Sequence, residues 1–133
     1  MIAFDSNVLI YYIEGSVEYS ESATKIVAKA MRDGGSISVL MVSELIAGTK
    51  QPTTTLLSFF NDIKKVGKIK LVNIDYKIAV LAGDIRKERI GISLADAIHL
   101  ASAIESDATM FYTNDNALLK LGSVKSLKIS PLI

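Results

Sequence analysis

Four carboxylates, far apart along the chain, each stand at the end of a short hydrophobic segment or inside one: Asp5 after IAF, Glu44 within VSELIAG, Asp96 within SLADAIHLASA and Asp115 after MFYT. Acids at strand-to-helix junctions are what an α/β fold gathers at one edge of its sheet, outside the carboxyl ends of the strands. Converging carboxylates repel one another, so a cation must offset them, and an all-oxygen ligand set favours Mg2+ or Mn2+. The chemistry to expect is metal-dependent attack on a phosphate ester.

Other chemistries are poorly supplied. Cysteine is absent, which removes disulfides, thiolate nucleophiles and Cys-based zinc sites together. His99 is the only histidine. Acid and base work therefore falls to carboxylates and to water activated by a metal. With 15 basic and 14 acidic residues the net charge is +1, so no broad basic field exists and any contact with a polyanion must be local.

The elements that would position the acids alternate between strand and helix. IAF reads as a first strand and SNVLIYYI as a helix. SESATKIVAKAMRDGG reads as a second helix, capped by Ser20 and ended by Gly34 and Gly35. SISV is a strand, MVSELIAG a short helix stopped at Gln51-Pro52, TTTLLSFFNDIKKVG a capped amphipathic helix and KIKLVNI a strand. Ile78, Leu81, Ala82 and Ile85 give a further helix ended by Gly91. SLADAIHLASAIES, ATMFYT, DNALLKLG and VKSLKIS follow as helix, strand, short helix and last strand. Strands alternating with helices predict a three-layer α/β/α fold with a parallel sheet and right-handed crossovers.

The 133 residues fit one domain, 1–133, with no linker or repeat. Hydrophobic residues make up 50% and the mean hydropathy is +0.35, high enough to leave apolar surface for a partner or for self-association. The N-terminal segment lacks a basic start and is interrupted by Asp5 and Asn7, so it is not read as a signal peptide. No stretch is long and apolar enough to span a membrane. A cytoplasmic location with no membrane contact is the expectation.

Each acid also has an ordinary structural use. Asp5 and Asp115 could simply cap the helices that follow them. Glu44 could lie on a solvated face, although Val42, Leu45 and Ile46 around it imply a largely buried helix and an acid directed into a cleft. Asp96 forms, with Ser93, the S-x-x-D spacing of a capping box, on a helix that its apolar neighbours mark as buried. Asp75 and Asp107 are read as cap and turn residues, and His99 as an interior or interface histidine rather than a ligand. A first strand is usually central in an open parallel sheet, which puts Asp5 in the deepest part of the crevice.

Taken in order, DSNVLI, VSELIAG, SLADAIHLASA and YTND resemble the four acidic motifs of the PIN-domain ribonucleases, and in particular of the small VapC toxins of VapBC toxin–antitoxin pairs. The resemblance runs end to end, with Ser6 where threonine is common and Asp107-Ala108 in place of a frequent Gly-Ala. It implies a Rossmann-like PIN fold with Mg2+ or Mn2+ bound by Asp5, Asp96 and Asp115, and with Glu44 helping directly or through water. Asn7 and Thr113 would stand behind these ligands or touch substrate. It further implies an endoribonuclease that hydrolyses RNA phosphodiester bonds, a homodimer and a small antitoxin partner. A PIN nuclease of RNA processing or decay is the alternative.

Arg86, Lys87 and Arg89 are candidates to grip flanking phosphates. Two further readings are open to test. Phosphoryl transfer on aspartate is disfavoured because Asn7 stands where a phosphatase needs a second Asp, and KLVNI does not end in Asp. A non-catalytic interaction module, with all four acids as caps, would show no saturable Mn2+ binding.

Overall fold

The computed structural model describes residues 1–133. Thirteen elements follow in chain order: β1 (Ile2–Phe4), α1 (Ser6–Glu14), α2 (Ser20–Asp33), β2 (Gly35–Ser38), α3 (Leu40–Gly48), α4 (Thr53–Val66), β3 (Ile69–Val72), α5 (Tyr76–Glu88), α6 (Leu94–Glu105), β4 (Met110–Tyr112), α7 (Asn116–Leu119), β5 (Ser123–Val124) and β6 (Leu127–Ser130). The six strands make one sheet in the order β3-β2-β1-β4-β6-β5. Every pairing is parallel except β5 with β6.

Strand alternation divides the core into two layers. Ile2 and Phe4 of β1 join one apolar cluster with residues of α1 to α4, while Ala3 between them joins the other with α5, α6 and α7. Phe111 of β4 likewise faces the second cluster, and its neighbours Met110 and Tyr112 pack against the first. Successive side chains of a strand point to opposite faces, so helices cover both sides of the sheet and the expected three-layer α/β/α architecture is present.

The chain builds outward from β1 to β2 and β3 on one side, then crosses to β4 on the other. This reversal makes the carboxyl ends of β1 and β4 a topological switch point, where folds of this kind form their crevice. The backbone N–H of Asp5 donates to the Tyr112 carbonyl at 3.0 Å, so the β1–β4 ladder continues up to the first acid.

Several local expectations are corrected. Ser20 does not cap α2: the preceding position is Tyr19, whose backbone N–H is accepted by the Ser16 hydroxyl. The TTT run opens α4 without a side-chain cap, because Pro52 occupies the cap position. α3 stops at Gly48, before Gln51-Pro52, and α5 stops at Glu88, before Gly91. VKSLKIS is not one strand but most of a tight hairpin, in which Lys125 turns the chain at φ 53° and β5 runs antiparallel to β6. Nor is α3 largely buried, since only Met41 and Leu45 are.

Two glycines show opposite packing constraints. A Cβ on Gly35 would lie 2.8 Å from the Ala30 Cβ and 3.2 Å from the Ile2 carbonyl oxygen, where α2 turns into the sheet. Gly83 sits inside α5, and a Cβ there would meet nothing within 4 Å. Gly35→Ala should destabilise by about 1–3 kcal/mol through overpacking. Gly83→Ala should stabilise by about 0.5–1 kcal/mol, because alanine loses less backbone freedom on folding. Urea unfolding midpoints measured at unchanged slope decide both, and equal midpoints would contradict the packing described.

Candidate metal centre

Asp5 ends β1 and is 6% exposed. Its Oδ1 accepts the Ser6 N–H at 2.7 Å, which caps α1, and its Oδ2 accepts the Thr113 hydroxyl at 3.0 Å. Thr113 is fully buried just past β4, and its hydroxyl also accepts the Asp115 N–H at 3.0 Å. One hydroxyl thus joins the first acid to the fourth across 108 residues of sequence between Asp5 and Thr113. Asp115 caps α7 through its Oδ1, which accepts the Ala117 N–H at 2.8 Å.

Asp96 forms the capping box that its spacing with Ser93 predicts. Its Oδ2 accepts the Ser93 N–H at 3.1 Å, and the Ser93 hydroxyl accepts the Asp96 N–H at 3.0 Å. Asp96 is only half-buried, and Leu94 beside it is exposed, so this end of α6 is less enclosed than its composition implies. Asp75 caps α5, and Asp107 turns the chain at φ 65°, a left-handed conformation in which glycine is the least strained residue. Asn7 is half-buried on α1, two residues after Asp5.

Capping does not exhaust these carboxylates. Asp96 and Asp115 each commit one oxygen to a backbone N–H and keep the other. A helix N-terminus also attracts negative charge, so a carboxylate suits each of these positions.

Glu44 does not stand alone on α3. Its Oε1 is hydrogen-bonded to Nε2 of His99, which lies on α6 one turn after Asp96 and is 3% exposed. His99, expected from sequence to be an interior or interface histidine, is buried, and its pairing with Glu44 is a feature the sequence does not reveal. The available signal was the three-residue spacing of Asp96 and His99, which sets both on one helix face.

His99, hydrogen-bonded to Glu44, stands near enough to Asp5 and Asp96 for their charges to act on its ring. Burial lifts the Asp5 carboxyl above its ordinary pKa, even though the His99 charge, the Thr113 hydroxyl and the Ser6 N–H pull it down; the Asp96 charge pushes it further up. Burial would lower the His99 imidazole, but the Glu44 hydrogen bond and charge, followed by Asp5 and Asp96, outweigh it and hold the ring above its ordinary value.

As the side chains stand, no three Asp, Glu or His residues are close enough to grip a single ion. Glu44 is engaged by His99, and Asp115 is tied to Asp5 only through Thr113. The donor chemistry nonetheless fits a hard divalent cation: the set is carboxylate oxygen throughout, and the mutual repulsion of Asp5 and Asp96 is what such a cation relieves.

The raised pKa of Asp5 has a definite sign. A group whose folded pKa lies above its unfolded value contributes stability at low pH and loses it as pH rises through the folded value. Without metal, the burial of Asp5 therefore costs stability as pH rises through its folded value. Asparagine has the same shape and caps as well. In EDTA, Asp5→Asn should melt above the parent at pH 7, with the gap closing as pH falls and Asp5 takes up its proton. A lower melting temperature for the variant at pH 7 would contradict this account.

The PIN domain family model matches residues 2–123. Comparison with curated proteins gives no match. Among solved structures, the fold is similar to VapBC2 from Rickettsia felis bound to a promoter DNA fragment, at 18% identity and TM-score 0.68 over 98% of each chain. It is similar also to DNA-bound VapBC from Salmonella typhimurium, at 20% identity and TM-score 0.66 over 99% of this chain and 98% of that one. A toxin–antitoxin complex from Klebsiella pneumoniae matches at 23% identity and TM-score 0.64, covering 86% of this chain and 87% of the other. At these identities the likeness to the solved structures is one of fold. The family model spans nearly the whole sequence, and the chain belongs to the PIN domain family.

Proposed function

We propose that this chain, acting as a single domain, is a divalent-metal-dependent endoribonuclease and the toxin of a type II toxin–antitoxin pair. The observation that supports the reading is the joining of Asp5 and Asp115 through Thr113 at the β1–β4 switch point, with Asp96 near enough for its charge to act on Asp5. Asp5, Asp96 and Asp115 would hold Mg2+ or Mn2+, with Glu44 beside them. Such an ion supplies positive charge for the scissile phosphate and makes water more acidic.

The chain's own residues supply the positioning. Backbone N–H groups at three helix starts fix the aspartates, and Thr113 orients two of them at once. Asn7, half-buried two residues after Asp5, would offer its amide to substrate. Arg86 and Arg89 lie at the end of α5, shortly before the turn into the helix that carries Asp96, and Lys87 is exposed between them; these cations would hold phosphates flanking the cleavage site.

The toxin assignment draws on the similar folds, which come from VapBC and toxin–antitoxin complexes. For an antitoxin or a second copy of the chain, the surface offers apolar ground, including a cleft lined by Tyr12, Val27, Met31, Phe59, Ile63 and Val66. No helix is long and apolar enough to cross a membrane. A cytoplasmic toxin acting on RNA accords with that.

Cleavage of a labelled structured RNA in Mg2+ tests the reading. Asp5→Asn and Asp96→Asn should each lower the rate by more than the roughly 10–100-fold that loss of a residue behind a metal ligand costs. EDTA should abolish cleavage and added Mn2+ restore it. Undiminished cleavage by both variants, or cleavage indifferent to EDTA, would defeat the proposal.

A further inference from the structure

We propose that His99 is a positioning residue that sets the Glu44 carboxylate within the acidic site. This deepens the nuclease reading above and rests on it. Glu44 is the one acid of the four that caps no helix: Asp5, Asp96 and Asp115 are each fixed by a backbone N–H, whereas the Glu44 side chain has no such anchor. Its helix gives it little help, since Ser43, Ile46, Ala47 and Gly48 around it are exposed. A glutamate on such a surface samples many rotamers and would leave the site as often as enter it.

His99 removes that freedom. The ring is nearly sealed from solvent, so its position is set by packing, and its Nε2 meets Glu44 Oε1 across 55 residues of sequence. The contact ties α3 to α6, the helix that also carries Asp96. A carboxylate only accepts, so Nε2 carries the hydrogen and donates it. Neutral and charged rings can both do so, and the role does not depend on the ring's titration. Nδ1 has no partner, and nothing in this role requires one. Glu44 keeps its second oxygen, as Asp96 and Asp115 do, so these three acids each have one oxygen restrained and one available, while both oxygens of Asp5 are hydrogen-bonded.

Outer partners of this kind fix ligand orientation, and their loss weakens metal binding without removing a ligand. Mn2+ binding by calorimetry on the full chain provides a readout independent of cleavage. His99→Leu should weaken Mn2+ affinity roughly 10–100-fold. His99→Gln, whose amide N–H reaches about as far as Nε2, should restore most of it, while the shorter His99→Asn should not. In a Glu44→Ala background, which should itself bind weakly, His99→Leu should add no further loss, because the two residues act as a unit.

Parent-like Mn2+ affinity in His99→Leu and His99→Asn would overturn the role of His99, as would a loss that Glu44→Ala does not share or that simply adds to it. Should His99→Leu fail to fold, the Gln and Asn pair gives the same comparison. Asp5→Asn separates the two levels of the argument. If it abolishes Mn2+ binding while the His99 variants do not weaken it, only the role of His99 fails. If Asp5→Asn also binds as the parent does, the metal reading fails and this inference with it.

Discussion

Asp5 is a carboxylate almost removed from water, and a charge in that position is costly unless it is paired or hydrogen-bonded. Much of the surrounding structure meets this demand. The Ser6 N–H holds one oxygen, the Thr113 hydroxyl holds the other, and the His99 ring stands close enough for its charge to act on the carboxyl. These partners do not fully offset the burial, and the carboxyl keeps a raised affinity for its proton. A second acid in the same neighbourhood, Asp96, adds to the imbalance. The crevice is therefore short of positive charge, a deficit that a bound divalent ion would relieve.

The helix caps explain how such an arrangement is held without a dedicated scaffold. A parallel sheet delivers the end of each strand to the start of the next helix, and an aspartate there satisfies an otherwise orphaned N–H. Two of the acids, at the ends of β1 and β4, do this on either side of the switch point, and Asp96 does it at the start of α6. The structural use of these residues is compatible with the chemical use proposed for them, since a bond to one oxygen orients the other. Glu44 departs from this pattern and relies on a side-chain partner instead.

Much of the architecture is legible in the sequence because it is encoded locally. The alternation of apolar segments gives the element order, and IAF at the very start gives a central first strand. S-x-x-D before an apolar run gives the capping box, and NIDYK gives the Asp75 cap. Features that depend on distant residues are not legible in this way. The Glu44–His99 pair joins positions 55 apart, and only the spacing of His99 from Asp96 hints that the ring faces the acids. The β5–β6 hairpin is hidden because its turn uses Lys125 in a left-handed conformation usually signalled by glycine or asparagine. Tyr19 and Pro52 precede helices whose cap bonds the sequence assigns to nearby serine and threonine. The exposure of α3 could not be read from Val42, Leu45 and Ile46, because how much of a short apolar helix is covered depends on where its neighbours pack.

The central claim is that acids brought to the β1–β4 switch point form a seat for a divalent ion. Anomalous diffraction from crystals of the full chain soaked in Mn2+ tests it most directly. The account predicts a strong anomalous peak in contact with Asp5 and Asp96, on the side where Asp115 and Glu44 approach. Saturating Mn2+ that leaves this crevice without a peak, or that binds only at carboxylates elsewhere on the surface, would contradict it.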